Sequence, residues 1–261
     1  MINIHLLKQT IKSNYKILLI FTFALSAFVT IVTGVFTPDK LNGIENIAKN
    51  TPISAIIGSN NSLVGFISNA FFGMMGSILP MIYVIIIANK LIASQVDKGS
   101  MAYILSTPIK RNQVTITQSV YLIGSLIFMF ATITTVGIIA SKIFQPDALD
   151  IKTFILVNIG CLLLHFATSG IAFASSCIFN LSKNSLAVAS GIPITFFIFK
   201  LVAELSSDLE FFKYFTINTL FDTKAIIARD GYLTNFTILI TVGIVLYLVG
   251  MKVFKEKDLP L

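Results

Sequence analysis

The sequence predicts an all-α, polytopic membrane protein with six transmembrane helices, and three observations carry the prediction. Of 261 residues, 55% are hydrophobic and only 12% are charged, about half the charged share of an ordinary soluble domain. The apolar residues collect into six stretches, each near the roughly 20 residues that a helix needs to cross a bilayer. Lysine and arginine concentrate on alternate connections between those stretches. Because the spans use most of the length, residues 1–261 read as a single transmembrane domain.

Residues 1–16 form an amphipathic segment. Ile4, Leu7, Ile11 and Tyr15 fall in one helical arc, and Lys8, Lys12 and Lys16 make a neighbouring row at a spacing of four. This predicts an elbow helix lying in the membrane interface with its lysines toward anionic headgroups. Lysines ahead of an apolar run also suit a signal peptide, but the run at residues 17–36 is too long for its hydrophobic region. An uncleaved first span is the expectation.

A polar, turn-rich connection follows, with Pro38, Asn42, Gly43 and Pro52 and room for short interfacial helices. The second span, residues 70–94, contains Gly73, Gly76 and Pro80, and the proline is expected to kink it. Residues 95–118 are the polar interval before the third span at 119–141. The fourth span covers 153–179, the fifth 186–203 with Pro193 inside it, and the sixth 233–254. Lys200 and Glu204 are spaced to pair at the end of the fifth. Residues 204–232 are rich in Phe and Leu and costly to leave solvated, so they are expected to fold back into the outer leaflet as short re-entrant helices.

Charge sets the orientation. With both termini inside, the cytoplasmic segments hold eleven basic residues and three acids, and the outer side holds eight basic residues and nine acids. The positive-inside bias therefore gives an N-in, C-in topology in a cell (plasma) membrane. Cys161 and Cys177 lie roughly four and a half turns apart along one helix, too far to bridge, and read as small buried residues.

Several function classes lose support here. No G-x-x-x-x-G-K-[ST] loop is present, so the chain lacks the usual phosphate cradle for hydrolysing ATP. No Asp, Glu, Lys or Arg falls at mid-depth of a span, which argues against an ion-coupled secondary carrier. An intramembrane enzyme needs a base paired with a nucleophile, or a metal cluster, at one depth, and neither is found. His165 lies midway along the fourth span and reads either as a proton or substrate site or as a neutral histidine bonded to a neighbouring helix, the second being favoured. Asn158, Thr132, Thr134 and Thr135 carry the same two readings, and packing is favoured again. Gly170 with Ala174, and Ala187 with Gly191, are small-x-x-x-small pairs that allow close helix contact.

The polar interval carries the most information. Ser100 with Met101 to Leu105 suffices for about two helical turns, and Pro108 stops a helix because the residue before it leaves the helical region. Such a helix between two spans suits docking into a groove on a soluble partner; the alternative is an ordinary loop obeying the charge bias. The order Val96-Asp97-Lys98-Gly99-Ser100, then Ile104-Leu105-Ser106-Thr107-Pro108-Ile109-Lys110-Arg111, resembles the cytoplasmic signature of the permease subunits of type-2 ABC exporters. In that family an acid and a Gly-Ser or Gly-Thr pair precede a leucine-serine-x-proline stretch and a basic pair. The stretch from Tyr214 to Asp222 and the tail from Phe254 to Leu259 are similar to the same family, so the resemblance runs from end to end.

The resemblance implies a coupling helix seated in a cleft of a separate ATPase subunit. The residues it assigns there are Asp97, Lys98, Gly99, Ser100, Tyr103, Leu105, Ser106, Pro108, Lys110 and Arg111, with Asp97 standing where glutamate is common. The elbow residues Ile4, Leu7, Lys8, Ile11 and Lys12, together with Leu181, Ser182, Lys183 and Asn184, would complete the contact. It also implies two permease chains, identical or homologous, and two ATPases. This chain would itself bind no metal or cofactor, ATP and Mg being held by the ATPase, and would touch membrane lipid but no nucleic acid. An apolar interior with scattered Ser, Thr and Asn suits an amphipathic or hydrophobic cargo. Small permeases rich in Ile, Lys and Phe resemble those of Gram-positive bacteria that export cytolytic peptide toxins, such as the staphylococcal phenol-soluble modulins, or that resist antimicrobial peptides. A lipid, a drug or a sodium ion are the other cargoes considered.

Overall fold

A computed structural model of the chain describes residues 2–35, 62–205 and 207–259. Its helices are α1 (Ile4–Val35), α2 (Leu63–Ile67, prolonged by a π turn, Ser68–Phe72), α3 (Met75–Leu91), α4 (Ala93–Asp97), α5 (Ser100–Leu105), α6 (Arg111–Phe144), α7 (Ile151–Ile178), α8 (Ser182–Leu205), α9 (Thr223–Ala228) and α10 (Tyr232–Glu256). Two 3-10 segments, Ser207–Phe215 and Ile217–Leu220, lie between α8 and α9. Six elements are long and apolar enough to cross a membrane: α1, α3 with α4, α6, α7, α8 and α10. No strand occurs among the described residues. The interfacial helices expected before the second span fall largely at 36–61, outside the described residues.

The first span differs from the expectation. Elbow and span form one unbroken helix of 32 residues, since no proline occurs in it and its one glycine, Gly34, comes at the far end. At 1.5 Å per residue it is about 48 Å long, well beyond the roughly 30 Å of a hydrocarbon core. Along the elbow Leu6, Thr10 and Asn14 are buried while Ile4, Ile11 and Tyr15 are exposed. The apolar arc faces outward because lipid solvates it, and the polar stripe turns in to find partners. Thr10 Oγ1 donates to Gln118 Oε1 at 3.2 Å, and Asn14 Nδ2 donates to Thr10 O at 2.9 Å.

α6 runs parallel to α1. Asn3 N donates to Thr117 Oγ1 at one end, and Gly34 lies against the Phe144 ring at the other. α6 begins at Arg111, so residues 111–118, expected as polar connection, are its first two turns, with Thr115, Thr117 and Gln118 buried.

The second span is broken at its start and carries Pro80 within a continuous helix. Met74, at φ −130° and ψ −76°, separates the π turn from α3. Pro80 has no N–H for the carbonyl of Gly76. Cys161 Sγ lies 3.4 Å from that oxygen, and His165 Nε2 lies 2.9 Å from the next one, Ser77 O. His165 Nδ1 is 2.8 Å from Cys161 O on its own helix. Cys161 thus faces the carbonyl that the proline leaves open, and His165, one turn on, sits between two backbone carbonyls, which is the packing reading of that residue.

α7 is the central helix, packed against α3, α6, α8 and α10. Its contact with α10 is made by small residues. A Cβ at Gly243 would strike Phe166, and one at Gly250 would come within 3.1 Å of Ala174 Cα. Gly170 and Ala174 therefore serve contact inside the chain. Tyr247 Oη and Ser169 Oγ, 2.8 Å apart, lie in the same seam.

On the side away from the termini, Asp222 caps α9, and Phe221 and Ile226 are buried, Phe221 with its ring 6.2 Å from that of Phe72. Tyr214 and Phe215 stay exposed. Lys200 and Glu204 are not an ion pair. The Lys200 ammonium lies 5.8 Å over the Phe221 ring, and the pairs present among the described residues are Lys213 with Glu210 and Arg229 with Asp150.

Candidate functional site

The basic side of the bundle, which the charge bias assigns to the cytoplasm, collects the ends of the spans. After α3, a break at Ile92 (φ −131°) starts α4, and Gly99 then adopts a left-handed conformation (φ 70°, ψ −2°). Only glycine takes this without strain, and it lets α5 leave at a new angle. Ser100 Oγ donates to Gln95 O at 3.1 Å across that corner. Met101 is fully buried and anchors the inner face of α5, with Ile104 and Leu105 half-buried. Tyr103, on the opposite face, is 80% exposed.

α5 ends within two turns, as Ser106 Oγ and Thr107 Oγ1 donate back to Tyr103 O and Ile104 O and Pro108 follows. Lys110 then precedes α6 in an extended conformation, and its N–H donates to Gln113 Oε1 at 3.0 Å. A lysine side chain offers no acceptor, so the Gln113 amide bonds Lys110 O at 2.8 Å instead.

The residues assigned to coupling separate into two groups. Asp97, Lys98, Tyr103, Ser106, Pro108 and Lys110 are exposed. Leu105 is half-buried, and Gly99 and Ser100 build the corner. Arg111 is tied inward, its Nη1 donating to Lys257 O at 2.7 Å, while Lys257 Nζ reaches Phe179 O at 3.5 Å. Burial pushes the Lys257 ammonium below its ordinary value, with Arg111 adding in the same sense.

Asp97 accepts from the backbone N–H of Ser182 through Oδ2 at 3.1 Å, and Asn89 Nδ2 donates to Ser182 Oγ at 2.8 Å. Asn89 went unread in the sequence, and Ser182 stood there only as part of a loop. The available signal was Leu181, which precedes a helix yet has no side chain able to cap it.

The elbow residues approach the same place. A cleft of about 420 Å³ opens between α1 and the α3–α5 corner, with Gln9 and Ser13 on one wall and Lys90, Lys98 and Tyr103 on the other. Lys8 and Lys12 are exposed nearby on α1, and Leu7 is half-buried. Among the described residues no group of His, Cys, Asp and Glu is placed to hold a metal.

With that geometry in view, comparison with known families is decisive: the family described as ABC-2 family transporter protein matches residues 4–259. The chain belongs to the ABC-2 transporter family. No curated protein matches it. An ABC-2 permease is a multi-pass protein of the plasma membrane that works with an ABC ATPase and generally as a dimer. The ABC-2 match spans α1 to α10, so the α4–α5 corner and the α1 cleft both lie within it.

Proposed function

We propose that this permease is the membrane half of an ATP-driven exporter in which the ATPase docks against α5. The observation that carries the reading is Tyr103, exposed on a two-turn helix whose inner face is anchored by Met101 and whose ends are fixed by Gly99 and Pro108. A rigid projection between two spans is the form of a helix that docks into a groove. Lys98 and Lys110 flank it, and the α1 cleft supplies Gln9, Ser13 and Lys90 as a second contact.

In this reading two permease chains, identical or homologous, enclose the pathway, and two ATPase copies hold ATP and Mg below. This chain binds no cofactor. Nucleotide draws the ATPases together, and α5 passes the displacement to α3 through α4 and to α6 through the Pro108 turn. The cargo is amphipathic or hydrophobic, an exported cytolytic or antimicrobial peptide of a Gram-positive cell, as in the permeases of phenol-soluble modulin exporters that the sequence resembles.

Affinity purification of the tagged chain with its ATPase tests the docking. Tyr103→Ala with Lys98→Ala is expected to reduce ATPase recovery at least tenfold at an unchanged yield of permease, and undiminished recovery overturns the reading. For the cargo, amphipathic helical peptides are expected to stimulate ATP hydrolysis by the reconstituted complex. Stimulation by lipid, drug or sodium ion alone overturns the peptide assignment.

A further inference from the structure

We propose that Asp97 is a positioning residue that caps α8 from outside its own chain segment, linking the docking corner to that span, and is not itself an ATPase contact. The proposal rests on the docking of the ATPase at α5.

A helix leaves its first N–H groups without partners inside it, and its N-terminus carries partial positive charge. α8 has no acid in its first turn, and Leu181 before it has no acceptor on its side chain. The Asp97 carboxylate supplies both missing elements through its 3.1 Å bond from Ser182 N. The hydroxyl of the same residue is held from α3 by Asn89 at 2.8 Å. Ser182 is thus gripped by two residues that lie on either side of the break at Ile92.

Asp97 is the last residue of α4, two positions before the left-handed Gly99 that orients α5. Any displacement of α5 that rotates the corner moves the carboxylate, and the carboxylate moves the start of α8. The other ties of α8, Thr216 Oγ1 to Phe196 O at 2.8 Å, Phe199 on Phe212 and Lys200 over Phe221, lie toward its far end. Within α8 only Ser185, Ala189 and Pro193 are buried, and Ser185 adds one hydroxyl contact, 3.1 Å from Ser176. Three residues connect it to α7.

The two roles of Asp97 are separated by asparagine, which caps helices about as well as aspartate but carries no charge. In the permease–ATPase complex in lipid nanodiscs, Asp97→Asn and Asp97→Ala are both expected to retain the ATPase at the wild-type level. Hydrogen exchange at the first amides of α8 is expected to rise about fivefold in Asp97→Ala and to stay near wild type in Asp97→Asn. A spin label at Lys183→Cys, the native cysteines being buried, is expected to change mobility on ATP addition in wild type and Asp97→Asn but not in Asp97→Ala. Ser182→Pro removes the donated N–H at a position where proline is tolerated together with the hydroxyl held by Asn89, and is expected to be at least as severe as Asp97→Ala. Loss of the ATPase in both Asp97 variants overturns the proposal in favour of a charge contact. Unchanged exchange in Asp97→Ala overturns the cap. If wild type itself retains no ATPase, the docking reading fails, and exchange in the permease alone still decides the cap.

Discussion

Gly99 has no atom within 4 Å of the place where a Cβ would stand, so space does not require glycine there. Its φ of 70° does. A β-carbon in this region costs about 1–2 kcal/mol, and asparagine pays least among the other residues. Gly99→Val is therefore expected to reorient α5 and to lower ATPase recovery several-fold at near-normal permease yield, with Gly99→Asn closer to wild type. Asp150 makes a different kind of residue-level prediction. The Thr153 hydroxyl, then the Thr153 amide, hold its carboxyl below the usual carboxylate range, with smaller help from the Lys152 amide and Arg229. Its folded pKa lies below its unfolded one, so its contribution to stability is complete above the ordinary carboxylate pKa and is lost as pH falls through the folded value. Asp150→Ala is expected to lower Tm at neutral pH, and the gap from wild type should close as pH falls below about 4. Thermal unfolding in detergent at several pH values measures both effects.

At the scale of elements, the Pro80 turn of α3 and the side chains of α7 that face its carbonyls form one unit. His165→Ala removes the side-chain partner of Ser77 O in a low-dielectric interior, at a cost of about 0.5–1.5 kcal/mol. Pro80→Ala returns an N–H to Gly76 O, one position from Ser77 O, so in the double variant the two changes are expected to couple by roughly 0.5–3 kcal/mol, as is usual for neighbours that share a network. A double-mutant cycle on Tm reads this directly. Gly243→Leu is expected to be more severe, because Phe166 and the 2.8 Å Ser169–Tyr247 contact occupy that seam. The existence of the spans was legible from apolar stretches of sufficient length. Their ends were less so: α1 and α6 extend well past their apolar cores, because helices end at prolines, glycines and caps and not where hydropathy falls.

Across the whole molecule, α8 stands apart. Only 11% of its most apolar stretch is buried, against 67% in α3 and in α7. Gly191 on this helix has open space around it, while the other small pair, Gly170 with Ala174, is consumed by α10. Dimerisation of the permease is expected to use the open pair, so that Gly191→Cys gives a cross-linked dimer with a short thiol-specific reagent, the native cysteines being buried. Gel mobility of membranes treated before solubilisation checks this.

The sequence by itself determined the solvent and the class of the protein. Composition and span length required a membrane, the charge bias oriented the chain, and the order of residues from Val96 to Arg111 marked the family. Those properties are local or additive along the chain, so they survive without coordinates. Only the tertiary structure decided what the polar side chains do. Asp97 accepts from Ser182, Arg111 donates to the carbonyl of Lys257, and His165 lies on the carbonyl of Ser77. Each partner lies more than 80 positions away in the chain. Hydrogen bonds act over about 3 Å, a distance on which the sequence order of remote residues carries no information.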